Sequence, residues 1–227
     1  MKLHILMFAA LMGCVLASTQ AVAGTIQIEL TGVNLNYSDP DGGGAGTGTL
    51  ADAGAPADPL TAMLFSEDDV PAGTLTSPPD SLTLDLLVGS IPSIAVPGPN
   101  SSTSVTAPAG GSLTLVVNAG TILDLDLDAV EVVYSRINFS TFDIRVLFAG
   151  SVGSIVSQSL PFGLNVDNPV TVTFNLQGTS SVSGGFLTGF TGSGTGVLTA
   201  PVPEPSIAMM GLGGLLSLMV YSRYRLG

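Results

Sequence analysis

The sequence predicts an all-β fold, an antiparallel β-sandwich of the jelly-roll kind, between an N-terminal signal helix and a single C-terminal transmembrane helix. Three observations predict it. Apolar residues alternate with polar ones at period two from residue 24 onward, which is the pattern of strands with one buried face. Turn residues recur between these runs, at Asp39-Pro40-Asp41-Gly42, Pro78-Pro79-Asp80, Asn118-Ala119-Gly120 and Asn168-Pro169. No helical period occurs outside the two end segments.

The strands follow in order. Ile26, Ile28 and Leu30 alternate with Thr25, Gln27 and Glu29, and Val33, Leu35 and Tyr37 with Asn34 and Asn36. A strand is expected over 60–65. Leu82, Leu84, Leu86 and Val88 then line one face. Strands are expected over 113–117, over 131–139 and over 142–148. Leu123, Leu125 and Leu127 alternate with Asp124, Asp126 and Asp128, and Val170, Val172, Phe174 and Leu176 with Thr171, Thr173 and Asn175. A further strand is expected over 182–187. The Gly-rich stretch 42–48 and the Pro/Ser/Thr/Gly-rich stretch 91–111 read as loose loops by composition. Two inner faces about 10 Å apart would form the core.

Composition narrows the function classes. Of the 17 acids only Glu204 lies in an end segment, which leaves 16 over 24–200 against Arg136 and Arg145, a net charge of −14. So acidic a surface repels phosphate backbones and excludes nucleic acid as a partner. The only His, Cys and Lys are His4, Cys14 and Lys2, and there is no Trp. Residues 24–200 therefore hold no imidazole for a Ser-His-Asp or Cys-His centre, no Cys or His for structural zinc, no P-loop Lys and no thiol for a disulfide. Carboxylate chemistry and calcium binding stay open. No cofactor is expected.

The ends carry the clearest signals. Lys2 and His4 precede an apolar run over 5–17, and Ala21-Val22-Ala23 forms a small-x-small cleavage site before Gly24. Residues 1–23 thus read as a secretory signal peptide, with Ala21, Ala23 and Gly24 at the cut. Leu11-Met12-Gly13-Cys14 offers a looser lipobox alternative. At the other end, Val202-Pro203-Glu204-Pro205-Ser206 leads into an apolar stretch over 207–221 and a basic end with Arg223 and Arg225. The prolines prevent helix before Pro205, and Ser206 suits a helix cap. Fifteen residues at ~1.5 Å span about 22 Å, and snorkelling Arg223 and Arg225 with interfacial Tyr221 and Tyr224 extend that reach. The same two arginines orient the span with its C-terminus inside and the domain outside.

This order of motif, apolar helix and basic end resembles the PEP-CTERM sorting domain, on Val202, Pro203, Glu204, Pro205 and Ser206. The resemblance implies cutting at the Pro-Glu-Pro motif by an exosortase. It also implies transient membrane anchoring after export across the inner membrane, final residence in the envelope or outside the cell, and association with extracellular polysaccharide. The expected division is a signal peptide over 1–23, an ectodomain over 24–187, a last strand and Gly/Thr/Pro spacer over 188–201, and a sorting signal over 202–227.

Other chemistry is weaker. Asp124, Asp126 and Asp128 share one face of a strand at about 6.5–7 Å intervals. They could turn a carboxylate stripe to Ca²⁺, though a solvated outer face is the plainer reading. Asp39-Pro40-Asp41-Gly42 lacks the later ligands of an EF-hand, with Gly43 and Leu50 where they belong, and reads as an Asx-type turn. Glu67-Asp68-Asp69 reads as a solvated loop. The expected function is a non-enzymatic envelope or matrix protein. The alternatives are a calcium-dependent adhesin or glycan-binding module, and a carboxylate-based glycan hydrolase or lyase.

Overall fold

Alternation becomes strand almost everywhere it occurs. The structure, a computed structural model, describes residues 24–41, 47–54, 57–108, 110–136 and 150–203. Residues 1–23, the expected strand over 142–148, Glu204, Pro205, Ser206, the apolar stretch 207–221, Arg223 and Arg225 lie outside the described residues. The described elements are β1 (Thr25–Ser38), β2 (Thr47–Asp52), β3 (Asp58–Pro59), β4 (Ala62–Glu67), β5 (Val70–Thr76), β6 (Leu82–Pro92), β7 (Ser101–Ala107), β8 (Gly111–Val117), β9 (Gly120–Arg136), β10 (Gly150–Gln158), β11 (Thr171–Ser183) and β12 (Phe186–Pro201). One 3₁₀ turn, Pro161–Gly163, is the only helical element among the described residues. None of these residues forms a helix long and apolar enough to cross a membrane.

All pairings are antiparallel, and they close on themselves. The order β12-β11-β10-β9-β8-β6-β2-β1 returns to β12 through a β1–β12 ladder running from Thr25↔Pro201 to Ser38↔Gly189. Between β10 and β11 two residue pairs lie among the described residues, Gly150↔Val172 and Ser151↔Thr171. Beside the ring, β4 and β5 extend from β1, β7 from β9, and β3 from β6. Inward side chains from every long strand form one core, with Ile28, Leu35, Leu84, Leu115, Leu125, Val132, Tyr134, Phe174 and Leu198 all buried. Residues 24–200 contain no Cys, so burial is what holds the domain, at ~1.5–3 kcal/mol for each fully buried Val, Leu, Ile or Phe.

Two bulges let long strands change partners while keeping their apolar faces inward. In β1 the buried set shifts from even positions (Ile26, Ile28, Leu30) to odd ones (Val33, Leu35, Tyr37). The shift occurs at Gly32, whose φ is +86° and which sits tight against the Thr61 hydroxyl. An extra residue flips the pleat, and Gly supplies the left-handed conformation. Before the bulge β1 pairs with β4, after it with β2. In β9 the shift falls between Leu127 and Val130, with Asp128 as the extra residue against β10. There β9 exchanges β8 for β7. The stretches 123–127 and 131–139, expected as separate strands, are therefore one strand as far as Arg136, and 137–139 lie outside the described residues.

Other boundaries also differ from expectation. The stretch 91–111, expected as a loose loop, contains β7, paired over seven residues with the second half of β9. The stretch 182–187, expected as a strand, is a hairpin reversal. There β11 ends at Ser183, β12 begins at Phe186, and Gly184 and Gly185 take φ of 60° and 85°, as a primed turn requires. Residues 188–201, expected to run from strand into spacer, lie within β12 throughout, and Gly24–Val202 forms one compact unit. Glu67, Asp68 and Asp69 are exposed, as a solvated loop requires, and Asp68 and Asp69 make the tight β4–β5 turn with φ of 50° and 63°.

Candidate functional site

The aspartates of β9 sit on the outer face of an interior strand, with β8 on one edge and β10 on the other. Thr114 Oγ1 donates to Asp124 Oδ1 at 3.1 Å, and Ser154 Oγ donates to Asp126 Oδ2 at 3.2 Å. Asp128 is exposed at the bulge. Neighbouring hydroxyls thus separate and occupy two of the three carboxylates. Among the described residues, no three acidic or other ligand-type side chains gather closely enough to hold a metal ion.

The acids that the structure buries are different ones. Asp58 on β3 is 1% exposed. Its Oδ2 accepts from the Asn34 backbone N–H at 2.6 Å and its Oδ1 from the Asn34 side-chain amide at 3.1 Å. Asn34 lies in the gap where β1 has left β4 and not yet reached β2, so its N–H has no ladder partner on that edge. The carboxylate fills the place of a missing strand, because a buried backbone donor must be paired. Asp52 on β2 accepts from the Leu86 N–H at 3.3 Å. Partial burial pushes its pKa upward, and the nearby Asp85 and Asp58 charges push the same way.

Asp39 is also buried. It takes the Asp41 N–H on Oδ1 at 3.2 Å and the Ser93 hydroxyl on Oδ2 at 3.2 Å. This is an Asx turn. Beside it, Tyr37 stacks on Phe190 with ring centroids 5.8 Å apart, and its hydroxyl has no hydrogen-bond partner. Burial pushes its pKa up to about 12, helped by the Asp39 charge. The three carboxylates each accept from a backbone N–H, of Asn34, Asp41 and Leu86.

The two ends of the compact unit 24–202 come together at the ends of β1 and β12. Thr25 pairs with Pro201, and the Val202 N–H donates to the Gly24 carbonyl at 2.7 Å. Asp68 clamps the same corner. Its Oδ1 accepts from the Thr25 N–H at 2.7 Å and its own N–H donates to the Thr25 carbonyl at 2.8 Å. Gly24 and Val202, the first and last residues of the compact unit, are therefore neighbours at one corner of it.

Sequence reasoning missed a surface made by β11 and β12. Residues 168–203 contain no Asp, Glu, Lys or Arg. In β12 the glycines Gly192, Gly194 and Gly196 take the inward positions and leave room for neighbours such as Phe174 and Leu30. The outward positions are Thr191, Ser193 and Thr195, in register with Thr179, Gln177 and Asn175 of β11. All six side chains are exposed, and none hydrogen-bonds to another described residue. The signal was present in the alternation of Gly with Ser/Thr, which a reading of Gly as a chain breaker hides.

Compared with protein-family models, curated proteins and solved structures, the chain matches none of them.

Proposed function

We propose that this protein is a non-enzymatic component of the cell envelope or extracellular matrix, exported behind the signal peptide 1–23 and sorted by an exosortase at Pro203-Glu204-Pro205. The carrying observation is the combination in one chain of a cleavable leader, the Val202–Ser206 motif, an immediate apolar stretch and a basic end. Each part alone is common, and their order is not. The adjacency of Gly24 and Val202 supports the reading, because both cuts then fall beside the folded unit and neither removes a core strand. The lack of His, Cys and Lys over 24–200 supports a binding or structural role over a catalytic one. A two-layered, jelly-roll-like arrangement of the closed ring is part of the proposal, supported by the bulges at Gly32 and Asp128, where strands of a sandwich turn from one layer to the other.

The sorting motif has a mechanical logic. Pro203 and Pro205 cannot continue a helix and lack N–H groups, so the motif stays out of the preceding ladder and the following span. Glu204→Ala, or Ala at both prolines, is expected to leave the protein inserted, uncut and retained in the inner membrane. Fractionation and immunoblotting in a strain with its exosortase read this out. Shortening and release of the variants at the wild-type rate would reduce the motif to a linker and end the sorting proposal. Mass spectrometry of exported protein should find Gly24 first, and a lipidated Cys14 at the terminus would replace the cleavage reading.

A further inference from the structure

We propose that the outward face of the β11–β12 hairpin binds a neutral, hydroxyl-rich polymer, an uncharged polysaccharide chain. The proposal gives a contact surface to the matrix role above and rests on that role for the partner's identity.

Charge is the first argument. Residues 24–200 carry a net of −14, yet 168–203 carry no formal charge. A face meant for a cationic partner would use those acids, and one meant for an anionic partner would need Lys or Arg. A face that excludes both suits a partner without charge. The second argument is chemical. Thr191, Ser193 and Thr195 stand opposite Thr179, Gln177 and Asn175. Hydroxyls and carboxamides each donate and accept, as sugar hydroxyls do. All six are exposed and unoccupied by described protein groups, whereas outward Thr171 and Ser181 are tied to the carbonyls of Thr199 and Gly189.

The third argument is rigidity. β12 is paired along its whole length, with β1 on one edge and β11 on the other. Beneath the face, Phe174, Leu176 and Leu198 are buried. The six groups are therefore held in a grid of ~4.8 Å across strands and about 6.8 Å along them, and little ordering is lost on binding. The hairpin face has no exposed aromatic ring for sugar stacking. One site binds weakly, and retention comes from many sites along one polymer.

The test uses the full chain purified from an exporting strain. The probes are microcrystalline cellulose and dextran, both uncharged, with alginate as an anionic comparison. Co-sedimentation and affinity electrophoresis should show retention by at least one uncharged polymer, undiminished in high salt, and none by alginate. The triple variant Thr179→Val, Thr191→Val, Thr195→Val keeps side-chain shape and strand preference while removing three hydroxyls. It should lower binding by about tenfold or more with an unchanged melting temperature. Thr74→Val on β5, outside this face, should bind as wild type. Failure of the wild type to bind either neutral polymer, equal binding by the triple variant, loss in Thr74→Val, or self-association abolished by the triple variant would each overturn the proposal. Sorting is read separately by fractionation, so a chain that binds but is not sorted sinks only the sorting proposal.

Discussion

Gly196 should be among the least replaceable glycines in β12, and the structure gives the size of the effect. A Cβ placed there would lie 2.6 Å from Phe174 Cε1, 2.7 Å from Cδ1 and 3.3 Å from Leu30 Cδ1. Ordinary contact begins near 3.4 Å, so the ring must retreat by most of an ångström. Phe174 is 1% exposed and Leu30 likewise, so neither has free space behind it. Overpacking of this kind costs ~1–3 kcal/mol. For a domain of this size each kcal/mol shifts the melting temperature by ~2–4 °C, so Gly196→Ala should lose about 2–12 °C. Gly89 on β6 is the control, since a Cβ there meets nothing within 4 Å. Gly89→Ala should be neutral or gain ~0.4–1 kcal/mol through the unfolded state. Phe174→Leu in the Gly196→Ala background should recover part of the loss, with a coupling of ~0.5–3 kcal/mol. Urea unfolding with an unchanged m-value is the assay. If Gly196→Ala proves as stable as Gly89→Ala, β12 does not run beneath Phe174, and the spacer reading of 188–201 returns.

Tyr37→Phe removes a buried hydroxyl that has no partner, and should stabilise by about 1 kcal/mol. The folded Tyr37 pKa is raised to about 12 from an unfolded value near 10. The folded state therefore holds this proton more tightly, and its contribution is present below pH ~10 and lost as pH rises through ~12. Residues 24–200 hold no Lys to obscure that window, and the decline should be smaller in Tyr37→Phe; equal declines would show that the hydroxyl is solvated. Asp58→Ala strips the Asn34 N–H of its acceptor and should cost ~1–3 kcal/mol. Asp58→Asn, which keeps one acceptor, should cost less, and equal losses would count against the gap-filling role. The Asp52 pKa is raised, so this carboxyl favours the folded state most when protonated, and that benefit falls as pH rises through its folded value. Asp52→Asn should be more stable than wild type at neutral pH and lose that advantage on acidification; an advantage constant across pH would refute the titration.

Alternation alone determined that the described residues are mostly strand. Polar and apolar residues at period two suit a pleated, half-buried surface and nothing else on the short menu of regular structures. Ile26–Leu30, Leu82–Val88, Leu123–Leu127 and Val170–Leu176 were legible for that reason, and the turn at Asn118-Ala119 was legible from its turn residues. The tertiary structure decided what local pattern cannot carry. Ser101–Ala107 has little apolar face of its own, and its strand is supplied by the free edge of β9 beyond Asp128. The Gly-x-Gly alternation of β12 reads as a spacer until Phe174 and Leu30 fill the room that the missing side chains leave. Asp58 looks like any acid in a loop, because its role depends on a backbone gap in β1, 24 residues away in the chain. The aspartate spacing in β9 was legible, but the hydroxyls that take up Asp124 and Asp126 come from β8 and β10, whose positions are set by pairing. Local sequence sets which way each side chain points. Which neighbour it then meets is decided by ladder register and bulges, and those are settled only when the core closes.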